Sequence, residues 1–182
     1  MKELSLFEIA KAVGAKTDFD SSVNSICTDT RKLSEGCLFV AIEGENYDGH
    51  SFVENAIELG AAAVLCHKKT NCQREIIVPD TRRALLDLAA YYRSLFNIPV
   101  VGITGSVGKT TIKEMTSAVL SRKFKTLKNE GNLNNEIGLP ETIFKLDESH
   151  EAAVLEMGMS ALGEISRLSK AARPCVGIIG NI

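Results

Sequence analysis

The chain has 182 residues, 45% of them hydrophobic and 24% charged, with 21 Lys and Arg against 23 Asp and Glu for a net charge of −2. This balance excludes a disordered chain and one that holds nucleic acid by bulk positive charge; the longest apolar run, Ala61 to Cys66, is far too short to span a membrane. At about 150 residues per domain, the length predicts one large domain or two small ones.

The N-terminus leads into an amphipathic stretch without the apolar core of a signal peptide, so a cytoplasmic protein is expected. Ser5-Leu6-Phe7-Glu8 has the form of a capping box, opening a helix whose Leu6, Ile9, Ala10 and Val13 recur at helical spacing until Gly14 stops it. Ser25 to Cys27 and Cys37 to Ile42 are short apolar segments between polar turns. Asp48-Gly49-His50 signals a turn, and Phe52 to Leu59 reads as a helix closed by Gly60. Ala61 to Cys66 and Glu75 to Val78 predict two more strands, completing a small α/β region of mixed order that ends near Asp80. The five cysteines are odd in number and include no CxxC pair, which predicts free thiols in a reducing compartment. Cys66-His67 with Cys72 is too small a ligand set for zinc.

Beyond Asp80 the pattern changes. Asp80 can cap a helix over Thr81 to Phe96, with Leu85, Leu88, Ala89 and Tyr92 on one face, and Asn97-Ile98-Pro99 breaks it. Val100 to Ile103 reads as a buried strand, followed by a Gly-rich turn and a helix over Thr110 to Lys123 whose Ile112, Met115 and Val119 form an inward stripe. Ala152 to Met157 predicts another strand, Leu162 to Ala172 a helix stopped by Arg173-Pro174, and Val176 to Ile179 a last buried strand. This alternation implies a mostly parallel sheet with helices on its faces. A core strand three residues from the last residue is expected to need neighbours from a longer protein.

The strongest chemical signal is Gly102-Ile103-Thr104-Gly105-Ser106-Val107-Gly108-Lys109-Thr110-Thr111, which follows an apolar strand and opens a helix. That is the context of a P-loop, although Ile103 stands where the strict motif has its first Gly. Glycines let backbone N–H groups reach phosphate oxygens, and the helix N-terminus adds partial positive charge. In this reading Gly105 to Thr111 bind ATP, Lys109 sits on the β- and γ-phosphates, and the Thr110 hydroxyl coordinates Mg²⁺. Glu156 ends an apolar strand at the same sheet edge, where a carboxylate can bind Mg²⁺ directly or through water. Asp147, Glu148 and Glu151, in a polar loop, are weaker candidates.

The loop, together with Lys113-Glu114-Met115, Asn132 to Pro140, Glu156-Met157-Gly158-Met159 and Gly163-Glu164-Ile165, resembles the Mur ligases, closest to their MurF branch. Thr28 to Leu33, Gly36 to Ala41, Asp48-Gly49-His50 and Gly60-Ala61 resemble the N-terminal domain of the MurE and MurF branches. The resemblance covers essentially the whole chain. It implies an N-terminal UDP-precursor-binding domain over 1–80 and part of a central ATP-binding domain over 81–182. It also implies a ligase that joins D-alanyl-D-alanine to UDP-N-acetylmuramoyl-tripeptide through an acyl phosphate, in the synthesis of peptidoglycan precursors. ATP and Mg²⁺ are the implied cofactors, with Thr110 and Glu156 on two Mg²⁺ ions and Lys109 and Glu156 as the catalytic pair. Thr30, Arg31, Asp48, His50, Asn134 and Asn135 are implied to hold the precursor. Residue chemistry alone leaves simpler roles open: a surface Arg31, an Asp48-Gly49-His50 turn bonded to backbone, and Asn134 or Asn135 as a helix cap. A monomer is expected, with no nucleic-acid partner and no membrane insertion.

A MurE-type amino-acid-adding ligase is the nearest alternative, and the run Asn132 to Pro140 fits it less well. Folylpolyglutamate synthase shares the ATP domain but not a region like 1–80. A GTPase-like switch lacks support because no N-K-x-D run is present. The family carries further ATP-domain residues after Asn181-Ile182, where Gly180 replaces a usual Thr, so the 182 residues alone are expected to be inactive.

Overall fold

The computed structural model describes residues 1–19, 21–44 and 47–181. Ile182 of the Asn181-Ile182 pair lies outside the described residues. The chain divides into two compact units, Met1–Leu88 and Ala89–Ile182.

The first unit opens with strand β1 (Leu4–Ser5) and helix α1 (Leu6–Ala12), whose capping box forms as expected: Ser5 and Glu8 bond each other's backbone N–H. β1 pairs antiparallel with β2 (Ser22–Val23), a ribbon too short to be legible in the sequence. The main sheet contains β3 (Ser25–Cys27), β4 (Cys37–Val40), β5 (Ala63–Cys66) and β6 (Glu75–Ile77) in the order β3-β4-β5-β6, all parallel. The two central strands, β4 and β5, are buried at every residue, and α2 (Val53–Glu58) packs Val53 and Ala56 among Phe39, Ala41 and Val64. Cys37 and Cys66 lie in this core as free thiols, their pKa pushed up to about 11 by burial.

The unit boundary falls within α3 (Thr81–Ser94). Asp80 caps this helix, accepting from the N–H groups of Arg82 and Arg83, and Leu85, Leu88, Ala89 and Tyr92 are fully buried as their spacing predicts. In the second unit, β7 (Val100–Thr104), β8 (Thr126–Lys128), β9 (Ala152–Glu156) and β10 (Val176–Ile179) form a second parallel sheet in the order β10-β7-β9-β8. Helices α4 (Lys109–Leu120), α5 (Gly138–Ile143) and α6 (Glu164–Ala172) complete the unit. Arg93 braces it: its buried guanidinium donates to the carbonyls of Phe96, Ile98 and Ala172, closing the ends of α3 and α6. Among the described residues, no helix is long and apolar enough to cross a membrane.

Two expectations are corrected. Met115 and Val119 are exposed on α4, at 66% and 71%, while Lys113 and Ser117 face inward. The glycine loop fixes where α4 starts and hence its rotation, turning Thr110 and Lys113 towards Glu156 instead of presenting the apolar stripe to the sheet. β10 is not a buried strand: it is an edge, paired on one side with β7, and Val176 and Ile179 are exposed. β8 and α5, which the sequence reading passes over, are short; α5 contains Pro140 in its first turn, where a missing N–H costs nothing.

Candidate functional site

In a parallel sheet all strands present their C-terminal ends to one edge, where ligands bind in open α/β folds. In the second unit that edge collects the residues after Thr104 on β7, Glu156 on β9 and the Gly180-Asn181 segment after β10. The 105–108 turn runs from β7 into α4 with Gly105 at φ 143° and Gly108 at φ 83°, conformations that side chains rarely adopt. A Cβ at residue 105 would also lie 3.1 Å from the Asn181 carbonyl oxygen. The Ser106 N–H donates to that oxygen at 2.6 Å, and the Gly180 N–H donates to the Thr104 carbonyl at 2.8 Å, tying the turn to the chain after β10. Lys109, at the start of α4, reaches back over the turn, its Nζ donating to the carbonyls of Gly105 (2.7 Å) and Ser106 (3.3 Å).

Glu156 is 2% exposed and fully engaged. Its Oε2 accepts from the Thr110 hydroxyl at 3.1 Å and lies 3.5 Å from Lys113 Nζ; its Oε1 accepts from the Asn134 amide at 2.9 Å. The backbone of Glu156 is clamped as well. Asn129, completely buried just past β8, accepts from the Glu156 N–H and donates to the carbonyls of Glu156 and Leu133. No motif in the sequence marks Asn129 for this role, because its partners come from other chain segments.

Two hard oxygen donors in contact, a hydroxyl and a carboxylate beside a phosphate-type loop, fit Mg²⁺. Among the described residues no group of three His, Cys, Asp or Glu could hold a metal, so water and a ligand's own oxygens would complete the coordination shell. Asn135 does what a cap does, its side-chain oxygen accepting from the N–H groups of Ile137 and Gly138 at the start of α5. Glu151 precedes β9, at the end opposite Glu156, and accepts from the Lys125 N–H. Asp147 bonds Ser149, which holds its carboxyl at about 2, and Glu148 lies in the same exposed loop.

The first unit holds a separate cleft of about 440 Å³, walled by Phe39, Ile42, Tyr47 and Phe52 and edged by Thr28, Asp29, Thr30 and Arg31. Asp29 accepts from the Arg31 N–H and takes a two-pronged bond from its guanidinium (Nε 2.9 Å, Nη2 2.7 Å), which lowers the Asp29 carboxyl to about 2. Thr30 and Arg31 thus line the cleft. Tyr47, 77% exposed, and Phe52 are apolar walls that no motif announced.

Asp48 and His50 flank Gly49 and are bound to each other and to the frame. Asp48 accepts from the His50 N–H and from Lys68. The His67 N–H donates to His50 Nε2 at 3.2 Å, so the ring's proton sits on Nδ1, which donates to Asp48 at 2.6 Å. These contacts, led by the His50 backbone N–H, hold the Asp48 carboxyl far below the usual range.

Known proteins resemble both units. The family described as Mur ligase family, catalytic domain, matches residues 22–105, and the Mur ligase middle domain matches residues 103–182. The UDP-N-acetylmuramoyl-tripeptide–D-alanyl-D-alanine ligase of Bacillus subtilis is 46% identical over 180 residues, covering 96% of this chain and 39% of that enzyme. Its Escherichia coli counterpart is 43% identical over 164 residues, covering 90% and 36%. The crystal structure of MurF from Acinetobacter baumannii superposes with a TM-score of 0.93 at 34% identity, covering 98% of this chain and 41% of that one. MurF from Thermotoga maritima, solved in complex with ADP, gives 0.82 at 37% identity, covering 88% and 38%. The chain spans about two fifths of the length of the relatives it matches.

Proposed function

The chain belongs to the Mur ligase family, and we propose from that premise that it is the UDP-precursor- and ATP-binding part of a ligase joining D-alanyl-D-alanine to UDP-N-acetylmuramoyl-tripeptide. The observation that carries the reading is the contact between Thr110 Oγ1 and Glu156 Oε2 at the foot of the glycine turn. ATP lies along 105–111, where backbone N–H groups, the N-terminus of α4 and Lys109 face its phosphates. Thr110 and Glu156 would hold Mg²⁺, which would neutralise phosphate charge.

A carboxylate cannot acylate an amine at neutral pH without activation. The precursor's terminal carboxylate attacks the γ-phosphorus, the bond to the β-phosphate bridging oxygen breaks, and ADP leaves an acyl phosphate. The amine of D-alanyl-D-alanine then attacks the acyl carbon, loses a proton and expels phosphate, leaving the amide. Lys109 and the turn's N–H groups offset the repulsion between the approaching anions and stabilise the charge on the transferring group.

The cleft of the first unit takes the uridine diphosphate end of the precursor. Its aromatic walls suit a planar base, and Thr30 and Arg31 suit a diphosphate. Asn134 acts through Glu156, and Asp48 and His50 shape the turn beside the cleft.

The reading is tested by ADP release that requires both UDP-tripeptide and D-alanyl-D-alanine. The complete protein turns over and the 182-residue chain does not. Turnover of the complete protein that is indifferent to D-alanyl-D-alanine overturns the substrate assignment.

A further inference from the structure

We propose that Lys113 is a positioning residue that makes cation binding at Thr110 and Glu156 conditional on nucleotide, an inference that rests on the reading of those two residues as the cation's ligands. Lys113 is 1% exposed in the core of the second unit, where lysines are almost never found unless paired. Its Nζ lies 3.5 Å from Glu156 Oε2, the same oxygen that Thr110 bonds, and 3.6 Å from Glu114 Oε1. Glu114 also pairs with Lys128 on β8. The row Lys128, Glu114, Lys113, Glu156 therefore alternates in sign and sums to zero charge.

A buried ion pair is a weak source of stability, because the cost of desolvating both charges offsets their attraction. The apolar Met115 and Val119 point outward from the helix that sends Lys113 in. The arrangement has a clear electrostatic consequence. A divalent cation arriving alone meets a carboxylate whose charge is already balanced by an ammonium buried beside it. Nor do the described residues offer it any group of three acidic, His or Cys ligands. A nucleotide polyphosphate supplies both missing elements, further negative charge and further oxygen ligands. The cation then binds with the nucleotide, and by linkage each raises the other's affinity by the same factor. Before that, Lys113, Thr110 and Asn134 keep Glu156 aimed from three sides.

The test is a Mn²⁺ titration followed by electron paramagnetic resonance on the complete protein, with and without ADP. Lys113→Met is expected to bind Mn²⁺ alone at least about tenfold more tightly than the parent, because one facing positive charge is gone. With ADP present its Mn²⁺ affinity changes less, so the coupling between the two ligands shrinks by the ratio of the two changes. Lys113→Arg keeps the parent's behaviour. Should circular dichroism show Lys113→Met unfolded, Lys113→Gln, which keeps a polar side chain without the charge, is read in its place. Unchanged Mn²⁺ affinity without ADP in the neutral variant overturns the proposal. Glu156→Gln separates the two levels: it should weaken Mn²⁺ binding in the presence of ADP. If it does not, the assignment of Glu156 as a cation ligand fails, whatever Lys113 does.

Discussion

The two units carry four-stranded parallel sheets of the same kind, yet they place their charged groups differently. In the first unit the Lys and Arg ion pairs lie at the surface: the Arg31 side chain is 87% exposed, and Lys68, bridging Glu43 and Asp48, is 49% exposed. In the second unit Glu156, Lys113 and Asn129 are all at least 98% buried. Surface pairs contribute about 0–1 kcal/mol each, whereas a buried polar group left without its partner costs about 1–3 kcal/mol. Binding and folding are therefore separable in the first unit and entangled in the second.

The strongest challenge to that contrast is Asn129→Ala. It leaves the N–H and carbonyl of Glu156 and the carbonyl of Leu133 unpaired in the interior. We expect a loss of about 3 kcal/mol in urea unfolding, with nucleotide binding lost in parallel. A variant of unaltered stability would mean that the buried network is incidental. Next is Lys109→Ala, at the one charged group of the second site that reaches out over the turn. Calorimetry should show ATP affinity falling about a hundredfold, the loss of a charge-assisted phosphate contact, with uridine-nucleotide binding and unfolding midpoint unchanged. Equal loss of both ligands would break the division of labour between the units.

The same contrast explains what the sequence made legible. The glycine turn, Lys109, Thr110 and Glu156 follow from a local motif and a strand end, and the capping of α1 and α3 follows from side chains a few residues apart. What escaped depends on chain segments that meet only after folding. Asn129 and Leu133 gain their roles from β9, 27 residues beyond Asn129. Arg93 is fixed by a carbonyl 79 residues away. The rotation of α4 reversed the apolar-stripe rule because the loop before it, not its hydrophobic pattern, sets which face meets the sheet. The walls of the first cleft went unread because Tyr47 and Phe52, as single residues, differ in no way from ordinary surface aromatics.

That cleft supplies the third test. Tyr47→Ala should weaken a uridine nucleotide about tenfold by calorimetry, since base–aromatic stacking is worth about 1–3 kcal/mol. Tyr47 is largely exposed, so the unfolding free energy should stay within about 0.5 kcal/mol of the parent. A stability loss matching that of Asn129→Ala would erase the distinction between the units.

The smallest effect concerns acid. The Asp29 carboxyl is lowered to about 2, first by its bond to the Arg31 side chain and then by the Arg31 N–H. A carboxylate whose folded value lies below its unfolded one, about 4, stabilises the fold above the unfolded value. That contribution disappears as pH falls from about 4 through about 2. Asp29→Asn should therefore be slightly less stable than the parent at pH 6 and converge with it near pH 2, as followed by thermal melts across that range. Solvent screening of so exposed a pair keeps the difference small. A gap that persists at pH 2 would show that Asp29 supports the fold through its cap on the 30–32 turn and not through its charge, which would make the first unit's surface chemistry more structural than the exposure of Arg31 implies.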